Sequence, residues 1–458
     1  MAAGKGTRMK SAKPKVLQTL AGRPLIDHVI ATAQHLNASR TVVITGHQAE
    51  SVESAVRSTW GDRASVDFAL QMPQLGTGHA MQQAAHLLDD DATVLVLSGD
   101  VPLTKASTLE QLIHASAGVH LALLSVHLGD PSGYGRIVRN ASGAVEAIVE
   151  HKDASESQRA IGEIYSGIMA APAKALKSWL LRLNNDNAQQ EYYLTDVVKL
   201  AIEDGFSVVT VTTDDPMQVE GVNSPMQLAA LERVYQTRRA NELMDAGVRL
   251  ADPNRIDVRG ELVCGQDVEI DIDCIFSGRV ELGNNVQIGA HCVLSNCTLA
   301  DGVHVHPFTH IEGQGQTIQI GTGSLIGPFA RLRPGAELGK EVHIGNFVEI
   351  KNSTLADGAK ANHLAYLGDA VVGERVNYGA GSITANYDGA NKHKTTIQAD
   401  VHVGSNCVLV APVTIGAGGT IGAGSTVTKD TPANALTVTR AKQLSIENWS
   451  RPTKKKTS

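Results

Sequence analysis

A repeat of six residues limits what the carboxyl-terminal half of this chain can fold into. Branched residues occupy every sixth position from Ile320 to Ile350, and glycine follows four of them. This period matches neither an α-helix, with about 3.6 residues per turn, nor a single strand, with about two. It is typical of short parallel strands that turn a corner after each hexad and stack into a β-helix. The period returns at 282–294 and 403–427, so we predict a solenoid over about half of the chain.

Two cations stand at positions where the repeat otherwise has glycine. Arg333 follows Leu332 and Lys351 follows Ile350, so the two cations lie three hexads apart in sequence. If three hexads form one coil, the two cations project from one face of adjacent coils, about 4.8 Å apart. Stacked like charges repel unless an anion lies between them. Pairing with a nearby carboxylate such as Glu349 and binding of a phosphate both remain open from these residues alone.

Composition limits the class of protein. A chain of 458 residues can form two or three domains. The net charge of −7 gives no global signal for nucleic-acid binding. The five cysteines are odd in number and include no Cys-x-x-Cys pair, so neither a disulfide framework nor a zinc site is expected. With no signal peptide and no apolar run long enough to cross a bilayer, the sequence predicts a cytoplasmic protein.

The amino-terminal half alternates between apolar strands and amphipathic helices. Strands are predicted at 41–45 and 93–97, and a helical segment is predicted at 24–36. Such alternation is typical of a mostly parallel, layered α/β sheet. Asp100 follows the strand at 93–97, and ligands and metals bind at the carboxyl ends of strands in open α/β sheets. A turn-forming role for Asp100 is the alternative.

One loop and one histidine are candidates for function in the repeat region. The period fails between Thr384 and Val403, where the turn-forming run 386–392 predicts a loop that leaves the coil. His363 precedes this loop, and a histidine can act as a general base near neutral pH. Glu349, which precedes it in the neighbouring coil, is expected to orient the ring, and a structural role for His363 remains open.

These motifs together resemble one bacterial family, the bifunctional N-acetylglucosamine-1-phosphate uridylyltransferases and glucosamine-1-phosphate acetyltransferases. The resemblance covers nearly the whole chain and is carried by the motifs at 2–9, 74–78 and 386–389. It implies a Rossmann-like pyrophosphorylase (uridylyltransferase) domain at 1–224, a linker helix at 225–248, and an acetyltransferase domain with a carboxyl-terminal tail at 249–458. The last domain would be an all-β, left-handed parallel β-helix.

In the amino-terminal domain, the resemblance implies attack of the sugar phosphate on the α-phosphorus of UTP, with Mg²⁺ as cofactor. Arg8 and Lys15 would neutralise phosphate charge as catalytic residues, and Asp100 and Asn223 would bind the metal. Contacts to the nucleotide and sugar would come from Ala2, Ala3, Gly4, Lys15, Gln71, Gly76, Thr77, Ser98, Asp100, Gly135, Glu150, Tyr165 and Asn223.

In the carboxyl-terminal domain, the resemblance implies acetyl transfer from acetyl-CoA to glucosamine 1-phosphate, at a site shared between the subunits of a homotrimer. His363 would accept the amine proton. The sugar phosphate would be held by Arg333, Lys351, Tyr366, Asn377 and Lys392, and the coenzyme by Ala380, Asn386, Tyr387, Ser405, Ala423 and Arg440. The two reactions would make UDP-N-acetylglucosamine for peptidoglycan and lipopolysaccharide.

The chain departs from the family pattern in its first domain. Family members usually carry a hydrophobic strand ahead of the Ala-Ala-Gly turn, whereas Met1 directly precedes Ala2 here. Unless the true start lies upstream, we expect the neighbours of that central strand to lose a ladder partner, and the uridylyltransferase domain to be unstable or inactive. Ser98 and Tyr165 stand where the family usually has tyrosine and asparagine, which predicts a changed affinity for the sugar.

Three alternatives to the bifunctional enzyme remain open at this stage. The chain could be an acetyltransferase only, with the uridylyltransferase domain impaired by the missing strand. It could be a nucleotidyltransferase whose solenoid only regulates or oligomerises, or a non-catalytic trimeric scaffold that binds sugar phosphate. A purely structural solenoid needs neither His363 nor the Arg333 and Lys351 pair, which favours the catalytic interpretations.

Overall fold

The computed structural model describes residues 1–61 and 63–454, which divide into two compact units. The first unit is Met1–Arg238 and the second is Arg239–Ser458. The division falls inside the helix Pro225–Asp245, within the segment predicted as a linker helix.

The first unit contains ten strands and most of the helices among the described residues. Its strands are β1 (Thr19–Leu20), β2 (Arg23–Pro24), β3 (Thr41–Thr45), β4 (Val66–Leu70), β5 (Thr93–Val96), β6 (Leu121–His127), β7 (Gly135–Arg139), β8 (Val145–Val149), β9 (Glu163–Pro172) and β10 (Val208–Thr213). The helices of the chain are α1 (Leu25–His35), α2 (Ala49–Trp60), α3 (Thr77–Ala84), α4 (Ala106–Ser116), α5 (Glu156–Arg159), α6 (Ala173–Arg182), α7 (Val197–Glu203) and α8 (Pro225–Asp245).

The main sheet of the first unit is mixed rather than mostly parallel. Its order is β10-β6-β9-β7-β8, with β5 also paired to β9. β10 runs parallel to β6, but β9 runs antiparallel to β5, β6 and β7. The periodicity of an apolar strand does not report its direction, which is why the sequence did not predict this arrangement.

The strands β3 and β5 are not joined to each other by a ladder. In the described part of the chain, β3 pairs only with β4, in a separate parallel sheet, and a cavity of about 450 Å³ is lined by residues of both β3 and β5. Met1 and Ala2 also line this cavity. The amide of Ala2 donates to Ile44 O (2.8 Å), while Met1 O accepts from the amide of Gly99 (2.9 Å). Among the described residues, β3 and β5 therefore lie beside one cavity without pairing to each other.

The second unit is a parallel β-solenoid whose strands stack on three faces. The first face contains Arg249–Leu250, Glu269–Ile270, Gln287–Ile288, His304–Val305, Leu325–Ile326, His343–Asn346, Lys360–His363, Asn377–Tyr378, His402–Val403, Thr420–Ile421 and Leu436–Thr437. The second contains His310–Glu312, Arg331–Leu332, Glu349–Lys351, Tyr366–Gly368, Ile383–Ala385, Val408–Val410 and Thr426–Val427. The third contains Ile318–Ile320, Ala336–Leu338, Ser353–Leu355, Ala370–Val372, Thr395–Ile397 and Val413–Ile415. Three longer strands, Ile256–Cys264, Cys274–Leu282 and Val293–Leu299, begin the solenoid beside the second and third faces.

The hexad residues form the core of the solenoid, as predicted. Leu332 stands opposite Ile350 in the next coil and Ile326 opposite Ile344, and all four are at most 1% exposed. Stacking of like residues keeps the narrow interior continuously apolar. The predicted loop enlarges one coil, because Tyr378 pairs with Val403 although the whole run 386–392 lies between them.

Candidate active sites

The glycine-rich turn of the first unit packs closely against Lys15. Gly6 has a left-handed backbone (φ 57°), and a Cβ added there would lie 2.7 Å from the Cβ of Lys15. Only glycine combines this backbone conformation with so close an approach. The turn is thereby held beside the cation that the sequence assigns to phosphate.

Four residues distant in sequence meet beyond β5. The Lys15 ammonium contacts Asp100 Oδ2 and donates to Asn223 Oδ1 at 3.2 Å, and Arg8 Nη2 donates to the same amide oxygen at 2.9 Å. A backbone bond from Val222 to Asp100 O (3.0 Å) places the Asn223 segment beside the end of β5. The predicted catalytic cations and the predicted metal ligands therefore form one cluster.

The donor set of this cluster fits a divalent cation. One carboxylate oxygen and one amide oxygen converge on a single ammonium, so both point to a position that a cation can occupy. Mg²⁺ is commonly bound by one or two protein oxygens, with water and substrate phosphates completing the shell. Asp100 and Asn223 could hold such an ion once Lys15 turns towards a phosphate.

The loop between β4 and α3 is a candidate nucleotide-base site. The Gln71 side chain is 3% exposed and donates to Gly76 O at 2.9 Å. The Thr77 hydroxyl accepts from the amide of Leu194 at 3.0 Å at the start of α3. The loop also approaches the glycine-rich turn, because a Cβ on Gly46 would lie 2.8 Å from both Ala3 O and Gln74 Nε2.

A buried polar group lies beside β7, β8 and β9. Burial raises the pKa of Glu150, which accepts from the Thr195 hydroxyl at 3.1 Å, and a Cβ on Gly135 would lie 3.6 Å from Glu150 Oε1. Tyr165 is 7% exposed, its hydroxyl has no partner among the described residues, and burial raises its pKa. Ser98 lies nearby, with its Oγ 3.6 Å from a Cβ built on Gly167. Among the described residues, no side-chain hydrogen bond or ion pair joins Glu150, Tyr165 or Ser98 to the Lys15 cluster.

The second face of the solenoid carries the predicted phosphate-binding cations. Arg333 donates to Glu349 Oε1 at 2.8 Å. The Lys392 ammonium, which reaches back from the extruded loop, lowers the pKa of Lys351, with burial and Arg333 adding to the effect. Tyr366 lies in the next coil, where a Cβ on Gly368 would meet its hydroxyl. The structure thus brings four of the five predicted sugar-phosphate residues to this region.

Asn346, and not Glu349, is the partner of His363. The His363 Nδ1 atom lies 2.8 Å from Asn346 Oδ1, and the two residues stand opposite each other in adjacent coils. The prediction of Glu349 was wrong, because Glu349 lies less than one coil before His363 and therefore belongs to a different face. Glu349 instead pairs with Arg333. The offset between these two coils is 17 residues, one fewer than the three hexads of the predicted repeat, so the repeat length alone points from His363 to Gly345 and not to Asn346.

The predicted coenzyme residues follow His363 along one corner of the solenoid. The corner is held by backbone bonds between coils, including Asn406 to Ala380 O and Gly424 to Ser405 O, both 2.8 Å. Arg440 Nη1 donates to Ala423 O at the end of the column. Tyr387 and Asn386 begin the extruded loop. Ala380, Ser405, Ala423 and Arg440 therefore form a continuous edge.

Asn377 is separated from the other predicted sugar-phosphate residues. It lies on the first face, next to Lys360, whereas Arg333, Lys351 and Tyr366 lie on or beside strands of the second face. His363 lies at the corner between these faces, in an open depression of about 470 Å³ that Phe329 and Phe347 also line. A single chain thus presents the predicted acetyltransferase residues on two faces.

Comparison with known proteins agrees with the division of the chain into an amino-terminal and a carboxyl-terminal unit. The MobA-like NTP transferase domain family matches residues 1–250, and the bacterial transferase hexapeptide (six repeats) family matches 317–352 and 394–429. The chain is 66% identical over 463 residues to the "Bifunctional protein GlmU" of Paracidovorax citrulli, covering 99% of this chain and 98% of that protein. The protein of the same name from Aromatoleum aromaticum is 55% identical, with 100% and 98% covered.

The chain belongs to the bifunctional GlmU family. It is therefore an enzyme with uridylyltransferase and acetyltransferase functions, the first on the Rossmann-like unit and the second on the hexapeptide solenoid. The GlmU relatives give no support to the acetyltransferase-only, regulatory-solenoid or scaffold alternatives. GlmU nucleotidyl transfer generally uses a divalent metal, and the acetyl transfer uses acetyl-CoA. No helix among the described residues is long and apolar enough to cross a membrane.

Proposed function

We propose that the solenoid acetylates glucosamine 1-phosphate with acetyl-CoA, and that its second face binds the sugar phosphate. The observation that carries this proposal is the convergence of Arg333, Lys351 and Lys392. Glu349 pairs with Arg333, whereas the ammonium groups of Lys351 and Lys392 repel each other, and a phosphate dianion between them would remove that cost. Tyr366, and Asn377 from another subunit, complete the proposed sugar-phosphate site.

His363 is the general base of this proposal. Because Asn346 Oδ1 accepts a hydrogen bond from Nδ1, the proton of the neutral ring lies on Nδ1 and Nε2 is free to accept another. The sugar amine would attack the thioester carbonyl carbon, lose its proton to Nε2 and displace CoA. The edge formed by Ala380, Ser405, Ala423 and Arg440, with Asn386 and Tyr387 of the loop, would hold the coenzyme beside the ring.

For the first unit, we propose transfer of UMP from UTP to N-acetylglucosamine 1-phosphate. The sugar phosphate would attack the α-phosphorus of UTP and displace pyrophosphate, while Arg8 and Lys15 neutralise phosphate charge. Asp100 and Asn223 would hold Mg²⁺, which supplies further neutralisation of the phosphates when bound. Uracil would be contacted by Gln71, Gly76 and Thr77. The phosphates would be contacted by the Ala2–Gly4 turn. Ser98, Gly135, Glu150 and Tyr165 would contact the sugar.

An aromatic column supports assembly of the solenoid as a homotrimer. The rings of Phe308, Phe329 and Phe347 stack at one corner with centroids 4.9 and 5.3 Å apart, and each side chain is about half exposed. A continuous exposed apolar column is typical of a protein interface. Phe329 and Phe347 line the same depression as His363, whereas Asn377 lies on the first face, so a neighbouring copy could cover the column and complete the site.

The assembly is tested by replacing Phe329 and Phe347 with serine. The double variant is expected to sediment as a monomer at micromolar concentration, whereas Leu181→Ser, at an 85% exposed apolar residue of the first unit, should leave the trimer intact. A double variant that still sediments as a trimer would contradict the proposed interface. A monomeric unaltered chain would contradict the trimer itself.

Two assays on one preparation test the proposed substrates. The first measures CoA release with glucosamine 1-phosphate, and the second measures pyrophosphate release from UTP with N-acetylglucosamine 1-phosphate and Mg²⁺. Both should be positive, and the product UDP-N-acetylglucosamine is proposed to form in the cytoplasm. Absence of either release would contradict the corresponding substrate assignment.

A further inference from the structure

Both ends of the extruded loop are fixed by one residue that the two reactions do not otherwise use. Asp369 is 7% exposed, and its Oδ2 accepts from the Nδ2 of Asn386, where the loop begins. The carbonyl of Asp369 accepts from the amide of Thr395 at 3.1 Å, where the chain rejoins the coil. One buried aspartate thus holds the entry and the exit of a loop that carries Lys392.

Asp369 also connects this loop to the coil that carries Lys351. Its amide donates to Lys351 O at 3.1 Å, and its Oδ1 accepts from the Nδ2 of Asn352. Two side-chain amide groups therefore share one carboxylate, and each donates to a different oxygen. The backbone of Lys351 and the base of the Lys392 loop are consequently tied to the same group.

The loop is closed by a second carboxylate nearer its tip. Asp388 accepts from the amides of Ala390 (2.8 Å) and Asn391 (2.6 Å) and contacts His393 Nε2 at 2.6 Å. With the base held by Asp369 and the tip closed by Asp388, little backbone freedom remains at Lys392. A rigid loop is required to hold two ammonium groups side by side, because their repulsion would otherwise move the more exposed one away.

We propose that Asp369 is a positioning residue for the sugar-phosphate site, which sets the separation of Lys351 and Lys392 by clamping both ends of the loop to the preceding coil. This inference rests on the proposed acetyltransferase function and adds to it a residue that touches no substrate. A preformed pair of cations binds a phosphate without first ordering the loop, so the clamp contributes to affinity for glucosamine 1-phosphate.

The test uses Asp369→Asn in the full-length trimer. The amide introduced at position 369 has one oxygen, which can accept from either Asn352 or Asn386. Its NH₂ group then faces the other donor, so one of the two hydrogen bonds is lost. We expect the KM for glucosamine 1-phosphate to rise roughly tenfold, with a smaller change in kcat and none in the KM for UTP. Hydrogen–deuterium exchange across 386–395 should also become faster. Unchanged KM with unchanged exchange would overturn the proposal.

A swapped variant separates positioning from general destabilisation. This variant combines Asn352→Asp with Asp369→Asn. The amide introduced at position 369 can donate to the carboxylate introduced at position 352 and accept from the Nδ2 of Asn386. Both hydrogen bonds of the clamp are then restored, and the negative charge moves only to the neighbouring coil. Recovery of KM and of slow loop exchange is expected, and failure to recover either would contradict the clamp. Asp301→Asn is the matched control, since Asp301 accepts from the amides of Asn284 far from the loop, and it should change neither readout.

The failures of the two proposals can be told apart. If the unaltered enzyme does not acetylate glucosamine 1-phosphate, the proposed function is wrong, while loop exchange in Asp369→Asn and in the swapped variant still tests the clamp. If acetylation is normal and Asp369→Asn behaves like the unaltered enzyme, the clamp alone is wrong.

Discussion

The two units differ in how each strand obtains its hydrogen-bond partners. A strand inside the solenoid pairs with the coil before it and the coil after it, so its neighbours are about one coil away in sequence. In the first unit, β3 and β5 flank a cavity of about 450 Å³ and share no ladder. A stacked repeat distributes its stability among many similar contacts, whereas a layered sheet depends on each central position.

The largest expected effect is a loss of acetyl transfer, the activity of the solenoid, with uridylyl transfer unchanged. His363→Ala deletes the proposed base and should lower kcat for acetyl transfer by about 10²–10⁴-fold, since general base catalysis supplies about that factor. Uridylyl transfer by the same preparation should not change. His304→Ala, three coils earlier on the same face, is the control. Retained acetyl transfer in His363→Ala would remove His363 from the mechanism.

The corresponding change in the sheet unit is Lys15→Met. It removes a cation beside Asp100 and should lower uridylyl transfer by about 10²–10³-fold, the usual loss for one group that stabilises transition-state charge. Acetyl transfer should be unaffected. Lys13→Met, two residues away and exposed, serves as control. A parallel loss of both activities in Lys15→Met would contradict the separation of the two sites.

The next prediction tests whether the cavity makes the sheet the weaker region. Five apolar residues added ahead of Met1 should pair with β3 and β5 and fill the cavity. Burial of their side chains, less the cost of ordering them, should stabilise the unit by about 2 kcal/mol. The midpoint of unfolding can be followed by the fluorescence of Trp60 and Trp179, both buried in this unit. A Gly-Ser extension of equal length is the control, and equal midpoints would show that the cavity does not limit stability.

The smallest effect concerns pH and the sheet unit alone. Burial raises the folded-state pKa of Glu150, so the native state binds more protons than the unfolded state at pH values between its unfolded and folded pKa. This contribution is fully present below the unfolded pKa and is lost as pH rises through the raised folded pKa. Glu150→Gln should therefore stabilise the unit at pH 7 relative to pH 4, as read from tryptophan fluorescence. An equal shift at both pH values would contradict the assignment.

Sequence periodicity predicted contacts in the solenoid because residues one coil apart must stack. It placed Leu332 against Ile350, and hence Arg333 and Lys351 on one face. The same rule was misapplied to Glu349, which lies less than one full coil before His363. The clamp at Asp369 carries no sequence signal, because its geometry depends on a coil enlarged by the loop.

In the sheet unit, motifs predicted which residues meet but not how the strands run. Arg8, Lys15, Asp100 and Asn223 come together as the resemblance implied. The antiparallel direction of β9 could not be read from its apolar pattern. The cavity was foreseen only as a missing ladder partner, since its size depends on side chains from several elements.

The most direct test of the central claim follows one acetyl group through both units. A single preparation is given radiolabelled acetyl-CoA, glucosamine 1-phosphate, UTP and Mg²⁺, and the products are separated. Two active sites in one enzyme predict that label appears in UDP-N-acetylglucosamine. In Lys15→Met most of the label should accumulate in N-acetylglucosamine 1-phosphate, and in His363→Ala the labelling of any sugar should be at least about a hundredfold slower. Label that never passes beyond N-acetylglucosamine 1-phosphate in the unaltered enzyme would contradict a working sheet unit.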